Sequence, residues 1–150
     1  MPYYINQYGY VQWYPPRDTF LINDITKAII LEAQDYYFYE RLAQLAKNEQ
    51  DRQMIYRIQL NEQKHYRWFR PILRRLGGEH PQIPAIQLPN TFEEGLKTAI
   101  YDELYEAYFY MYIASRANHN YIVQHFTNAA IDERRHALWL QSMLTNLQSQ

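Results

Sequence analysis

The 150-residue sequence predicts an all-α protein, a four-helix bundle made of two antiparallel αα-hairpins joined by one long crossover. Three observations lead there: four stretches with apolar residues at three- and four-residue spacing, two short polar breaks with one long Pro/Gly-rich connection, and an internal repeat at an offset of 71 residues. A chain of this length buries roughly 70% of its unfolded surface, enough for one core.

The first 20 residues stand apart. Tyr3, Tyr4, Tyr8, Tyr10, Trp13 and Tyr14 run into Pro15 and Pro16 without a helical period, so 1–20 reads as an N-terminal arm and 21–150 as the bundle. Aromatic-rich segments are poor formers of disorder, and the arm is expected to be extended, its rings packed on the bundle or on a neighbouring subunit. From about residue 23, Ile25, Ala28, Ile29, Glu32, Tyr36, Tyr39, Ala43 and Ala46 share one helical face. A break near Asn48 to Asp51 precedes a second stripe, Ile55, Ile58, Glu62, His65, Phe69, Ile72 and Leu76, which stops at Gly77 and Gly78. Gly77, Gly78, Pro81, Pro84 and Pro89 exclude regular helix over 77–90, and Thr91 with Glu94 makes a capping box for the third helix. That helix carries Leu96, Ala99, Ile100, Glu103, Ala107, Tyr110, Ala114 and Ala117 on one side. After a break at Asn118 to Asn120 the fourth carries Ile122, Phe126, Ala129, Glu133, His136, Leu140, Met143 and Leu147.

The short breaks force the first and second, and the third and fourth, helices into antiparallel hairpins. The 77–90 connection reaches about 46 Å when extended at roughly 3.3 Å per residue, against about 37 Å for a 25-residue helix, so it is long enough to run the length of the bundle.

Composition excludes several chemistries. With no cysteine there are no disulfides, thiol nucleophiles or iron–sulfur ligands, and imidazole and carboxylate are left as the strong metal ligands. A net charge of −1 with interspersed signs offers no nucleic-acid stripe, and no apolar run approaches a membrane span. The N-terminus shows no charged region followed by an apolar one, and the cytoplasm is the expected location.

The repeat carries the chemistry. Adding 71 takes Glu32 to Glu103, Glu62 to Glu133 and His65 to His136, and lays Tyr37, Phe38 and Tyr39 on Tyr108, Phe109 and Tyr110 and Trp68 on Trp139. Each hairpin thus supplies one carboxylate from its first helix and a Glu-x-x-His pair from its second, whose i, i+3 spacing points both side chains the same way. Counted from turns near residues 49 and 119, the six residues fall at one height within about 6 Å. All six lie within apolar stripes, so the layer is interior. Four carboxylates and two imidazoles buried together call for cations, because each unpaired buried charge costs several kcal/mol. Two divalent ions match four ionised glutamates, and the mixed O/N set suits iron or manganese, with zinc able to occupy it. His80, His119 and His125 fall outside the repeat and read as surface or loop histidines, while Tyr36, Tyr105 and Tyr110 are placed where they can approach the layer.

This pattern resembles the rubrerythrin and ferritin superfamily over about residues 23–147, in which paired Glu-x-x-His helices hold a di-iron centre. The resemblance implies two iron ions bridged by Glu62 and Glu133, with Glu32 and His65, and Glu103 and His136, as terminal pairs. Glu106, one turn after Glu103, resembles the additional, redox-mobile metal ligand of rubrerythrins, and the repeat sets Asp35 opposite it. The implied activity is that of an oxidoreductase, peroxidase-like or ferroxidase-like, reducing peroxide or dioxygen under oxidative or metal stress, as a homodimer. Without cysteine the chain has no rubredoxin-type site, so an external electron donor is expected. Iron storage in a ferritin-like assembly is the alternative, and a coat or structural role for the Tyr-rich arm a third. Asp132 and Asn61, which precede the two Glu-x-x-His pairs, are expected to bond across the bundle to His65 and His136 respectively.

Overall fold

A computed structural model describes residues 3–5, 9, 11–13 and 18–150. Four long helices dominate: α1 (Thr19–Leu45), α2 (Glu49–Arg75), α3 (Phe92–Arg116) and α4 (Asn120–Gln148). In the arm, β1 (Tyr3–Ile5) and β2 (Val11–Trp13) pair antiparallel with Tyr3 opposite Trp13, so the described part is a short hairpin rather than a single extended strand. Where its aromatic rings pack lies outside the described residues.

Side-chain oxygens set three of the helix starts. Asp18 accepts from the Leu21 amide at 2.9 Å, Asn48 from Asp51 at 2.8 Å and Thr91 from Glu94 at 3.2 Å, each relieving one of the orphan N–H groups of a first turn. The Asp18 cap explains why α1 begins at Thr19, four residues before the apolar period becomes visible: a cap needs one residue, a stripe needs several. α2 continues through Pro71, which has no N–H to give back to the preceding turn. It ends where Gly77 (φ 84°) enters the left-handed region, with the Gly77 and Gly78 amides bonding back to the Arg74 and Leu73 carbonyls at 3.0 and 2.9 Å.

α1 packs along α2 and α3 along α4, while α1 neighbours α3 and α2 neighbours α4. The crossover lies along α1, where Gln34 Nε2 donates to the Pro84 carbonyl at 3.1 Å and Arg41 Nε to that of Pro89 at 3.3 Å. The interior holds two apolar clusters. One gathers Ile25, Ile29, Phe69, Ile72, Tyr110, Ile113 and Phe126, and the other Leu42, Ile55, Ile58, Leu96, Leu140 and Met143. Between them Glu32, Glu62, His65, Glu103, Glu133 and His136 are at most 1% exposed. This fold is the two-hairpin bundle with one crossover that the sequence predicts. Among the described residues no helix is long and apolar enough to cross a membrane.

Candidate metal centre

Each ligand candidate is aimed inward by the apolar stripe that contains it. Glu62 and His65, and likewise Glu133 and His136, are one helical turn apart and enter the layer side by side. His65 Nδ1 lies 2.9 Å from Glu133 Oε1, 3.5 Å from Glu32 Oε2 and 3.7 Å from Glu62 Oε2. Its counterpart, His136 Nδ1, lies 3.0 Å from Glu62 Oε1, 2.9 Å from Glu133 Oε2 and 3.3 Å from Glu103 Oε2. Two overlapping groups result, Glu32, Glu62, His65, Glu133 and Glu62, Glu103, Glu133, His136, and within each the ligand atoms lie within 4.8 Å of one another. Glu62 and Glu133 belong to both.

These side chains have no internal solution to their own polarity. Both oxygens of Glu62 and Glu133, Oε2 of Glu32 and Nδ1 of His65 are buried without a hydrogen-bond partner. Acceptors facing acceptors in a dry layer repel one another, and cations between them remove the conflict. The donor set, carboxylate oxygen with imidazole nitrogen, is one that divalent first-row metals accept. The residues therefore form groups that could hold metal ions.

The titration behaviour has the same origin. Burial pushes the carboxyls of Glu32 and Glu103 well above the ordinary value, and neighbouring Glu62 and Glu133 add to it. Glu62 is buried too, but the charge and close approach of His136 and of His65 outweigh that and hold it ionised. Burial opposes protonation of His65, yet the charges of Glu133 and Glu32 and the bond to Asp132 raise it well above the imidazole range, and the Glu62 charge does the same for His136.

A surrounding set of bonds orients the ligands. Tyr39 donates to Glu103 Oε1 and Tyr110 to Glu32 Oε1, each from one hairpin to the other, and Oε2 of each carboxylate is left facing the histidine of its own hairpin. Tyr39 shares the helical face of Glu32 in sequence but is not among the tyrosines expected near the layer, although its repeat partner Tyr110 is; the 71-residue offset between them was the available signal. Tyr105 instead accepts from Lys27 near the surface, and Tyr36 lines a groove beside α1.

His65 Nε2 lies 3.0 Å from Asp132 Oδ2, which Lys64 Nζ also reaches at 2.8 Å, while Arg135 bonds the other oxygen at 3.1 Å. Partial burial pushes Asp132 up, but the bonds from His65 and Lys64 outweigh it and hold the carboxyl down at about 2. His136 Nε2 lies 3.0 Å from the Asn61 amide nitrogen. With Nδ1 turned to the carboxylates, Nε2 carries the proton and needs an acceptor, so a half-turn of the carboxamide that brings its oxygen to the ring completes this pair. The two histidines thus differ in support, one carboxylate and one amide. Asp132→Ala is expected to weaken binding at the His65 position by about 10- to 100-fold and to leave the His136 position nearly unchanged. Calorimetric titration with two resolved affinities checks this, and an equal loss at both positions argues against the pairing.

Glu106 is buried but stands outside the two groups. It lies near Asp35, its repeat partner; burial raises both carboxyls well above their ordinary range, with the Asp35 charge adding to the rise of Glu106 and the Glu62 charge to that of Asp35. Asp35 Oδ2 and Glu106 Oε2 are buried without a hydrogen-bond partner.

No family model matches the chain. Among solved structures it is similar to a hypothetical protein from Pyrococcus furiosus, with a TM-score of 0.77 at 21% identity, covering 88% of this chain and 92% of that one. It is likewise similar to a dodecameric thioferritin, the bacterioferritin-related protein from Bacteroides fragilis, with a TM-score of 0.77 at 19% identity over 86% of each chain. At such identities the likeness establishes the ferritin-like fold. In sequence it is 32% identical over 135 residues to the uncharacterized protein YhjR of Bacillus subtilis (strain 168), covering 88% of this chain and 93% of that protein. A ferritin-like bundle with this extent of identity to YhjR belongs to the YhjR family.

Proposed function

We propose that the chain is a rubrerythrin-like di-iron carboxylate oxidoreductase that reduces peroxide or dioxygen in the cytoplasm, with electrons from an external donor. The observation that carries the reading is the convergence of unpartnered carboxylate oxygens and one imidazole nitrogen on two overlapping four-residue groups in a dry layer.

In this reading Glu62 and Glu133 hold both ions, Glu32 with His65 and Glu103 with His136 hold one each, and manganese or zinc can take the same places. When bound, an iron pair supplies Lewis acidity and the two electrons that reduction of a peroxide O–O bond requires. The protein's contribution is order and protons. Tyr39 and Tyr110 restrain the terminal carboxylates, Asp132 and Asn61 restrain the histidines, and the apolar clusters on both sides exclude bulk water. Reducing peroxide to two waters consumes two protons, and Glu106, a buried carboxyl raised well above its ordinary range by burial and by the Asp35 charge, is the candidate to supply one. A cavity of about 600 Å³ between α1, α2 and the crossover, walled in part by Glu32, Tyr36 and Tyr66, is the approach for a small oxidant.

Anaerobic loading with ferrous iron, then stopped-flow mixing with peroxide and separately with dioxygen, tests the reading. Rapid oxidation of two irons per chain with turnover on re-reduction is expected, and an iron-loaded chain inert to both oxidants overturns it. In the same assay Glu106→Ala is expected to keep two metals per chain while slowing reaction with peroxide by on the order of 10²-fold, the scale of a lost positioned acid. Unchanged kinetics remove Glu106 from the chemistry. Iron sequestration is the second reading, favoured by the likeness to a dodecameric thioferritin; continued uptake of iron well beyond two ions per chain would support it.

A further inference from the structure

The two hairpins are alike inside and unlike outside. α3 has a second apolar face, turned away from Glu103, Ala107, Tyr110 and Ala114. Tyr101, Leu104, Tyr108 and Met111 recur at spacings of three, four and three, with Tyr112 beside them, and they are 72%, 55%, 72%, 40% and 44% exposed. That is the seam of a helix that packs on another helix, and a helix apolar on two opposite sides is one covered on both.

The repeat shows what α1 does with the same face. Subtracting 71 gives Ile30, Ala33, Tyr37, Glu40 and Arg41, a smaller and more polar set. Over it runs the crossover, tied down at Gln34 and Arg41 and walling a cavity with Ala33, Gln34 and Tyr37. One chain has one crossover, so the equivalent face of α3 receives no such cover, and there the side chains are larger and more apolar.

We propose that the outward face of α3 is a homodimer interface, on which α3 of a second copy packs antiparallel about a two-fold axis. Two features of the face select a second copy. At 150–250 Å² for each fully buried aromatic side chain, these exposed residues offer on the order of 600 Å² per protomer. With Ile131 and Leu138, exposed seven residues apart on neighbouring α4, the patch approaches the roughly 800 Å² per partner of a stable interface. Charge also matches. α3 is acidic in its first turn, at Glu94 and at Glu93, which also bonds Lys97, and basic in its last, at Arg116, which also bonds Asp24, so antiparallel pairing sets the acidic end of one protomer against the basic end of its partner.

Sedimentation velocity on the full chain, followed over a dilution series, tests this. The wild type is expected to sediment as a dimer, at twice 18.3 kDa, or as a larger assembly built from dimers. Leu104→Lys/Tyr108→Lys is expected to raise the dimer dissociation constant at least 100-fold, whereas Tyr37→Lys, at the position equivalent to Tyr108, leaves the mass unchanged. A monomeric wild type, its face covered by the N-terminal arm instead, overturns the proposal, as does an assembly that the double variant leaves intact. Should the double variant fail to fold, the chain's lack of cysteine provides a second route. Tyr108→Cys is expected to yield a cross-linked dimer with a short bis-maleimide and Tyr37→Cys is not; the reverse result, or equal yields, overturns it.

Discussion

Glu62→Ala and Glu133→Ala are each expected to leave the chain without metal at either position, whereas Glu32→Ala and Glu103→Ala lose one position and weaken the other. The expectation follows from membership: Glu62 and Glu133 stand in both four-residue groups, each with an oxygen about 3 Å from His136 Nδ1 and, for Glu133, another at 2.9 Å from His65 Nδ1. Removing a shared carboxylate takes an anionic ligand from two ions together. The metal-free variants are expected to melt below the metal-free wild type, because each loses an ionised carboxylate that the buried histidines hold. Glu62→Gln and Glu133→Gln, which keep the shape, separate lost charge from lost packing. Metal content by elemental analysis is the readout, and a stoichiometry staying near two per chain would show that neither residue is shared.

Metal stabilisation is expected to grow with pH. In the metal-free chain Glu32 and Glu103 titrate well above 4.5, and His65 and His136 above 6.5. Groups raised in this way contribute stability that is complete below their unfolded values and is lost as pH rises through the folded ones. Glu62, Glu133 and Asp132 are lowered, so their contribution is present above about pH 4.5 and lost as pH falls. The metal-free protein therefore weakens on the alkaline side through the two histidines and the two raised carboxyls. Bound cations take the place of those protons, and that flank disappears. With free metal at about 1,000 times Kd the stabilisation is about 4 kcal/mol, which for a chain of this size raises Tm by about 8–16 °C at roughly 2–4 °C per kcal/mol. Differential scanning fluorimetry of metal-loaded and metal-free protein is expected to give a larger Tm difference at pH 8 than at pH 6. An equal difference at both would mean that metal does not displace these protons.

Helical period and the 71-residue repeat were enough to identify the four helices, their pairing, the crossover, and the six side chains that share the buried layer. Each of these is a local matter: a 3.6-residue period says which side of a helix is apolar, and Glu-x-x-His says that two side chains leave that side together. Even the cross-bundle partners of the histidines, Asp132 and Asn61, follow from where each sits relative to its own pair. Contacts between helices depend on how far each rotates and slides against its neighbour, which no single stripe records. Packing alone decided that Tyr39 reaches Glu103 and Tyr110 reaches Glu32, and that Tyr105 turns instead to Lys27. It also decided which hairpin the crossover covers. The repeat makes the two hairpins equivalent in sequence, but a single connection can lie against only one of them, so the outward face of α3 became exposed for a reason that exists only in three dimensions.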